Sequence, residues 1–488
     1  MSSLKELDRA ELHHLDKQAL CALLQRALAR IDQLEQQVLD LSAEVQRLSD
    51  QLAKDSGNSS KPPSSDGLNK KRRTRSLREG GKRPMGGQPG HKGGTLEMVE
   101  TPDHVQIHPL CRCPACERDL ASLWPIAYER RQVFDLPPVQ LEVREHQAEI
   151  KCCPDCGALV KAPFPAHVSQ PVQYGPRISA QASYLNTYHF IPLARTAQLL
   201  GDLYGGAPSE AVIMGANQAL VEHTKPSLAQ IKAQMIGASV GHFDESGLRV
   251  EGKLQWLHVA SSAALTHYHV HPKRGQEGMK AGEILPHFQG RAMHDHWKSY
   301  QIFDQCSHGF CNAHHLGELQ FVVDQYGQDW AEEMAKLLRD IKAEVETAPP
   351  EAMSLSPSRL AHWEGAYERL LGAGFKANPV SSDAVPVKRG RRKQSPPKNL
   401  LDRLERHKGE VLAFMYDFRV PFDNNQAERD VRMIKVKQKV SGTFRTESGA
   451  RTFCAIRSYI STVRKQGHNV IDAIYDAFLG RPFIPTQG

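Results

Sequence analysis

The chain has 488 residues, a formal net charge of +7, and 40% hydrophobic and 24% charged residues. Such a composition fits about two to four folded, water-exposed domains. It argues against a membrane protein, because no apolar run approaches the ~18 residues of a span. The opening "MSSLKELDRAELHHLDKQ" has no apolar signal-peptide segment, so the expected location is the cytoplasm, about the nucleoid.

The first element is a long helix. Leu20, Ala27, Leu34, Leu41 and Leu48 recur every seven residues, and Leu24, Ile31, Val38, Val45 and Leu52 form a second series offset by four. Branched residues in the second series and Leu in most of the first match the a and d positions of a parallel dimeric coiled coil, with Arg30 and Glu35 placed to pair between strands. A single amphipathic helix lying on a domain is the plainer alternative. The expected role is dimerisation, or assembly to a higher oligomer.

The pattern then gives way to Ser, Gly, Pro and basic residues. From Lys61 to Lys92 there are ten Lys or Arg against Asp66 and Glu79, densest at Lys70, Lys71, Arg72 and Arg73. Beside a dimerising helix, such an arm suits neutralisation of DNA phosphates better than a merely solvated charge run.

Six of the ten cysteines fall between 111 and 156. Cys113/Cys116 and Cys153/Cys156 form two CxxC pairs, each with Pro after its first Cys, and four thiolates of this kind suit one structural Zn²⁺. Unliganded or redox cysteines are the alternative. Cys111 and Cys152 stand beside the pairs as substitute ligands or plain thiols. Between the pairs, "RRQVFDLPPVQLEVREHQAEI" alternates like a β-hairpin or meander.

Residues 171–235 read as short helices broken by Pro and Gly, either a helix-turn-helix-like DNA-binding unit or an ordinary helical domain. From 239, "SVGHFDESGLRVEGKLQWLHVASSAALTHYHVHP" reads as three consecutive strands. A helical stretch and a short strand, "GRAMHDHW", follow. After "CNAHHLGELQFVVDQY" the pattern is helical to about 375, and a loop carries a second basic cluster, Lys388 to Lys393. A helix over 399–418 precedes "VPFDNNQAERDVRMIKVKQK".

Asp244 and Asp295 each end an apolar run, where a charge must be solvated or paired. On the last helix Glu428 is followed by Arg432, Lys435 and Lys439 at i+4, i+7 and i+11, on one face, with Ala427, Val431 and Ile434 on the core side. Taken singly, these are a surface ion pair and two strand-end caps. Taken together, three carboxylates would repel unless they hold divalent cations, an expected pair of Mg²⁺ or Mn²⁺ ions, beside a polyanion.

"FDES", "THYHVHPKRG", "HDHWKSY", "CNAHHLGEL", "VPFDNNQAERDVRM" and the "KQKVSGTFRTESGARTF" stretch closely resemble the IS66-family transposases of bacterial insertion sequences. "NSSKPPSSDG", "GGQPGHKG", the paired CxxC region and the heptads do so too, so the resemblance covers essentially the whole chain. It implies a DDE transposase with a ribonuclease-H-like core, in which Asp244, Asp295 and Glu428 are the catalytic and metal-binding acids. The long interval from Asp295 to Glu428 is then a helical insertion. The implied reaction is metal-dependent cleavage at transposon ends followed by strand transfer into target DNA. Transposon and target DNA are the implied partners, with accessory proteins of the same element. An inactive DNA-binding relic or repressor is the alternative. His296 stands where the family pattern has glycine, Gly317 where it has arginine, and Leu248 where it has an aromatic residue. In "CNAHH", His314 and His315 are DNA contacts or neighbours of the active site, members of a second metal site, or a helix cap with stacked rings.

The expected organisation is multidomain α/β. It comprises a coiled coil (1–55), a basic linker (56–105), a four-cysteine zinc domain (106–170) and a helical region (171–235). The first part of the catalytic core (236–345) runs into the insertion and basic loop (346–398), and the second part of the core closes the chain (399–488).

Overall fold

The structure is a computed structural model that describes residues 16–55, 96–379 and 394–486, apart from Pro138 and Ala166. The basic arm with Lys70, Lys71, Arg72 and Arg73, and the Lys388–Lys393 cluster, lie outside the described residues. The described residues divide into two compact units. The larger takes 16–55, 162–198, 208–379 and 394–486; the smaller takes 96–161 and 199–207. No described helix is long and apolar enough to cross a membrane.

In the larger unit the heptad segment is one helix, α1 (Lys17–Ala53), capped by Asp16, whose carboxylate accepts from the Ala19 N–H at 2.7 Å. Its last turns touch the rest of the unit through Asp50, which accepts from the Tyr326 hydroxyl at 2.5 Å. Apart from half-buried Ala27, the apolar heptad series are solvent-exposed, from Leu20 at 42% to Leu52 at 80%.

The smaller unit holds one short hairpin, β1 (Ile150–Cys152) paired antiparallel with β2 (Leu159–Lys161). The hairpin or meander expected over 130–150 does not form: the described residues of 130–149 carry no strand. An alternating segment becomes a strand only when a neighbour supplies backbone partners and a buried face. Here Val133, Leu136 and Val143 are more than four-fifths exposed.

The stretch 176–236 is mainly helical, with α2 (Pro176–Ser183) running into a π-turn at Tyr184–Tyr188, then α3 (Leu193–Tyr204), whose residues from 199 on belong to the smaller unit, and α4 (Glu210–Ile236) in the larger. Ala180 of α2 and Leu220 of α4 share one core with Tyr459, Ile460 and Ile474 from the C-terminal helices.

The meander follows as β3 (Val240–Val250), β4 (Lys253–Ser261) and β5 (Thr266–His271). After α5 (Gln276–Ala281) come β6 (Arg291–His294) and β7 (Ser307–Phe310). The sheet order is β5-β4-β3-β6-β7; the first three strands are antiparallel neighbours, whereas β6 runs parallel to β3 and β7 parallel to β6. Alternation assigns the two faces. Leu248, Val250, Leu257 and Val259 pack on Ala427, Val431 and Ile434. Phe243 and Ala260 face Met279, Leu285, Phe288 and Tyr300 on the other side.

Between β7 and the last helices lie α6 (Asn312–Tyr326), α7 (Asp329–Glu346), α8 (Pro357–Ala377), α9 (Pro396–Arg406) and two single turns, α10 (Lys408–Val411) and α11 (Ala413–Tyr416). They close around their own core, which includes Leu319, Trp330, Ile341, Tyr367, Leu401 and Phe414. The chain then returns to the sheet as α12 (Asn425–Ser441), α13 (Glu447–Lys465) and α14 (Val470–Phe478).

Candidate active site

Asp244 does not end its strand; it sits in the middle of the 11-residue β3. The strand continues because Leu248 and Val250 are buried beyond it and β4 pairs with β3 as far as Val250–Lys253. What ends near Asp244 is the parallel pairing with β6, whose last partners are His242 and Met293. Continuing that register by two residues sets Asp244 beside Asp295, on the same side of the sheet. Asp244 also shares the parity of Leu248 and Val250, so it points to the face on which α12 lies. Glu428 enters from the first turn of α12, where the helix dipole favours a negative charge. Three acids far apart in sequence thus act on one another. Burial first, then Glu245, Asp295 and Glu428, hold the Asp244 carboxyl well above its ordinary range. Burial and Glu245 push Asp295 up to about 6.

The motif segments converge behind these acids. Glu245 has the opposite parity from Asp244 and is buried on the other face. Its carboxylate pairs with Arg274 at 2.8 Å and accepts from the Tyr300 hydroxyl at 2.5 Å. The Arg274 guanidinium lies 4.1 Å from the Trp297 ring centroid and 5.2 Å from that of Trp256. Asn424, at the start of α12, does not cap the helix with its side chain. Its amide instead donates to the Phe243 carbonyl at 2.8 Å, while its oxygen meets His242 Nδ1 at 2.8 Å. Close to Glu428 on the same helix, Asp430 accepts from Ser261 at 2.7 Å and pairs with Lys465 at 2.8 Å, joining α12 to β4 and α13.

"CNAHH" packs on the same entrance. The Asn424 N–H points to Cys311 Sγ at 3.1 Å, and the Asn312 N–H donates to the Phe422 carbonyl at 3.1 Å. His314 Nδ1 stands 3.8 Å from Glu428 Oε1, and Cys311, His314 and Glu428 offer donor atoms within 4.8 Å of one another. His314 is therefore a neighbour of the acid site. His315 is fully buried, with Nδ1 3.1 Å from Asn312 Oδ1, so it offers no surface to DNA.

The base column on α12 divides. Arg432 is exposed and pairs with Glu428 at 3.3 Å; Lys439 is also exposed. Lys435 is half-buried and donates to the Gly247 carbonyl at 2.8 Å, which makes it a strut between α12 and β3. Glu245, Arg274, Tyr300, Asn424 and Asp430 were missed as site residues in the sequence. Their signal lay in the motif segments themselves: an acid next to Asp244 but on the opposite face must be buried, and a buried acid needs a cation.

The smaller unit carries the two CxxC turns, and their backbones match. The Glu117 N–H donates to the Cys113 carbonyl and the Gly157 N–H to the Cys153 carbonyl, both at 2.9 Å. Glu117 at φ +58° and Gly157 at φ +68° both take the left-handed conformation. Within each turn, backbone N–H groups, of Ala115 and Cys116 or of Cys156 and Asp155, lower the pKa of the first thiol, of Cys113 or of Cys153. Thiolate-favouring turns fit a metal-binding role. Among the described residues, Cys113, Cys116, Cys153 and Cys156 are not drawn together into one set of mutually close donors.

Compared with known families, residues 171–452, more than half of the chain, match the model described as "Transposase IS66 family". Residues 111–157 match "zinc-finger binding domain of transposase IS66". Residues 2–97 match a family of unknown function, DUF6444. No curated protein matches the chain.

Proposed function

Because the chain belongs to the IS66 family of transposases, we propose that it is a DDE-type enzyme in which Asp244, Asp295 and Glu428 are the catalytic carboxylates on a ribonuclease-H-like core. The observation that carries this reading is the convergence of these acids from β3, the end of β6 and the first turn of α12. The sheet order, three antiparallel strands followed by two parallel ones, supports the fold assignment.

Carboxylate oxygens in a partly buried, mutually repelling set fit Mg²⁺ or Mn²⁺. Bound there, such ions would supply charge neutralisation and a polarised nucleophilic oxygen. The chain's own residues do the positioning. The Glu245–Arg274 pair fixes β3 behind Asp244, Asn424 sets the start of α12, and Lys435 holds α12 to β3. Arg432 and Lys439 offer exposed charge to the DNA backbone. In the proposed reaction, water attacks phosphorus at the transposon end and the 3′-oxygen leaves. The freed 3′-hydroxyl then attacks a target phosphodiester, whose own 3′-oxygen leaves.

Structural Zn²⁺ on Cys113, Cys116, Cys153 and Cys156, dimerisation through α1, and DNA contact by the arm at Lys70, Lys71, Arg72 and Arg73 complete the proposal. The matched zinc-finger domain supports the zinc. The test is purified protein with labelled transposon-end DNA, Mg²⁺ or Mn²⁺ and the element's accessory proteins, with Asp244→Asn alongside. Cleavage and joining by the wild type alone are expected. DNA binding without cleavage would return the chain to an inactive relic.

A further inference from the structure

Next to the acid site, but sharing no residue with it, stands a second donor cluster: His296, His315 and Glu318 each place a ligand atom within 4.8 Å of the other two. We propose that these three residues bind a divalent d-block cation, Zn²⁺ best, in addition to any metal at the CxxC turns or the carboxylates. Two imidazoles and one carboxylate are a donor set that Zn²⁺ takes.

The orientation of each donor supports the assignment. His315 is fully buried and its Nδ1 is engaged by Asn312 Oδ1, while its Nε2 is buried with no hydrogen-bond partner. A buried ring nitrogen without a partner is costly. An imidazole held by its other nitrogen, with a free lone pair, is also how metal-bound histidines are oriented. His296 Nε2 lies 3.6 Å from Glu318 Oε1, and the His296 and His315 rings lie 6.0 Å apart at 22°. The second oxygen of Glu318 is paired with Arg403, which orients the carboxylate and leaves Oε1 toward the histidines. His296 directly follows Asp295, and His315 and Glu318 lie on α6, so a bound cation would tie the strand end that carries Asp295 to that helix.

The test counts Co²⁺ on the full chain after exchange in excess Mg²⁺, which occupies carboxylate sites without competing for imidazole. Wild type is compared with His296→Asn, Glu318→Gln and the double variant Cys113→Ser plus Cys156→Ser. The cysteine variant should lose thiolate-to-cobalt charge transfer yet keep the visible bands of a nitrogen–oxygen site. His296→Asn and Glu318→Gln should each lose one Co²⁺ per chain while keeping the charge-transfer band of the smaller unit, with far-ultraviolet circular dichroism and the urea midpoint of wild type showing that the larger unit is folded. Equal Co²⁺ counts in wild type and both single variants would overturn the proposal. So would a cysteine variant without nitrogen–oxygen bands, whatever the cleavage assay shows.

Discussion

At the scale of single residues, burial first and then neighbouring carboxylates hold Asp244 and Asp295 above their ordinary range, a strain that the proposed cation would relieve. A carboxyl whose pKa rises from 3.8 in the unfolded chain to about 6 on folding, as for Asp295, binds its proton more tightly in the native state. Its contribution is therefore favourable below that interval and is lost as pH rises through it. Two units correspond to about 2–3 kcal/mol. Without Mg²⁺, thermal stability should fall between pH 4 and pH 7, and added Mg²⁺ should recover it near neutrality. Asp244→Asn should be more stable than wild type in the absence of Mg²⁺, because it removes a carboxyl held well above its ordinary range, and should respond little to the ion. Scanning calorimetry at two pH values measures both; a wild type indifferent to Mg²⁺ at pH 7 would refute the shared-cation reading. The CxxC turns give a second test. Glu117 holds a left-handed backbone that its counterpart Gly157 holds without steric cost. Glu117→Gly should improve zinc retention against a chelator by about 1 kcal/mol, roughly fivefold, and Gly157→Ala should weaken it.

At the scale of elements, legibility in the sequence followed how local each determinant was. The heptads, the three-strand meander and the α12 helix were readable because period seven, period two and i+4 spacing are properties of neighbouring residues. The two aspartates were readable as acids out of place. The alternating 130–150 stretch misled because strand formation depends on a partner that alternation does not supply. Lys435 misled because the same helical face that exposes Arg432 and Lys439 brings Lys435 over Gly247. Asn424 carries no local signal of its role in the sequence, and only the approach of β3 makes it the tie between the strand of Asp244 and the helix of Glu428. Asn424→Ala would leave the Phe243 carbonyl without that donor, at a cost of about 1–3 kcal/mol. Urea unfolding should register that loss, and end cleavage should drop by more than the unfolded fraction explains, because Glu428 loses its register on Asp244. An unchanged cleavage rate in folded Asn424→Ala would show that α12 is placed by its apolar face alone.

At the scale of the whole molecule, the apolar stripe of α1 is a surface left without a partner among the described residues of the single chain. Ile31, Val38 and Val45 are at least half exposed over a helix of 37 residues. Burying a branched side chain of this kind contributes about 1.5–3 kcal/mol, so a stripe repeated over several heptads offers ample free energy for association of two chains. The core of the larger unit does not use this surface: α1 is tied to it near its C-terminal end, through Asp50 and Tyr326. A dimer would bring two acid sites and two basic arms onto one pair of DNA ends, and the many phosphate contacts would make binding steeply salt-dependent. Val38→Lys combined with Val45→Lys places like charges at a positions of both strands. Sedimentation should then show a monomer where the wild type is a dimer or larger. Affinity for a single transposon end should fall only modestly, but joining of paired ends should be lost. Paired-end joining by a variant that sediments as a monomer would separate α1 from synapsis and leave its exposed stripe to another partner.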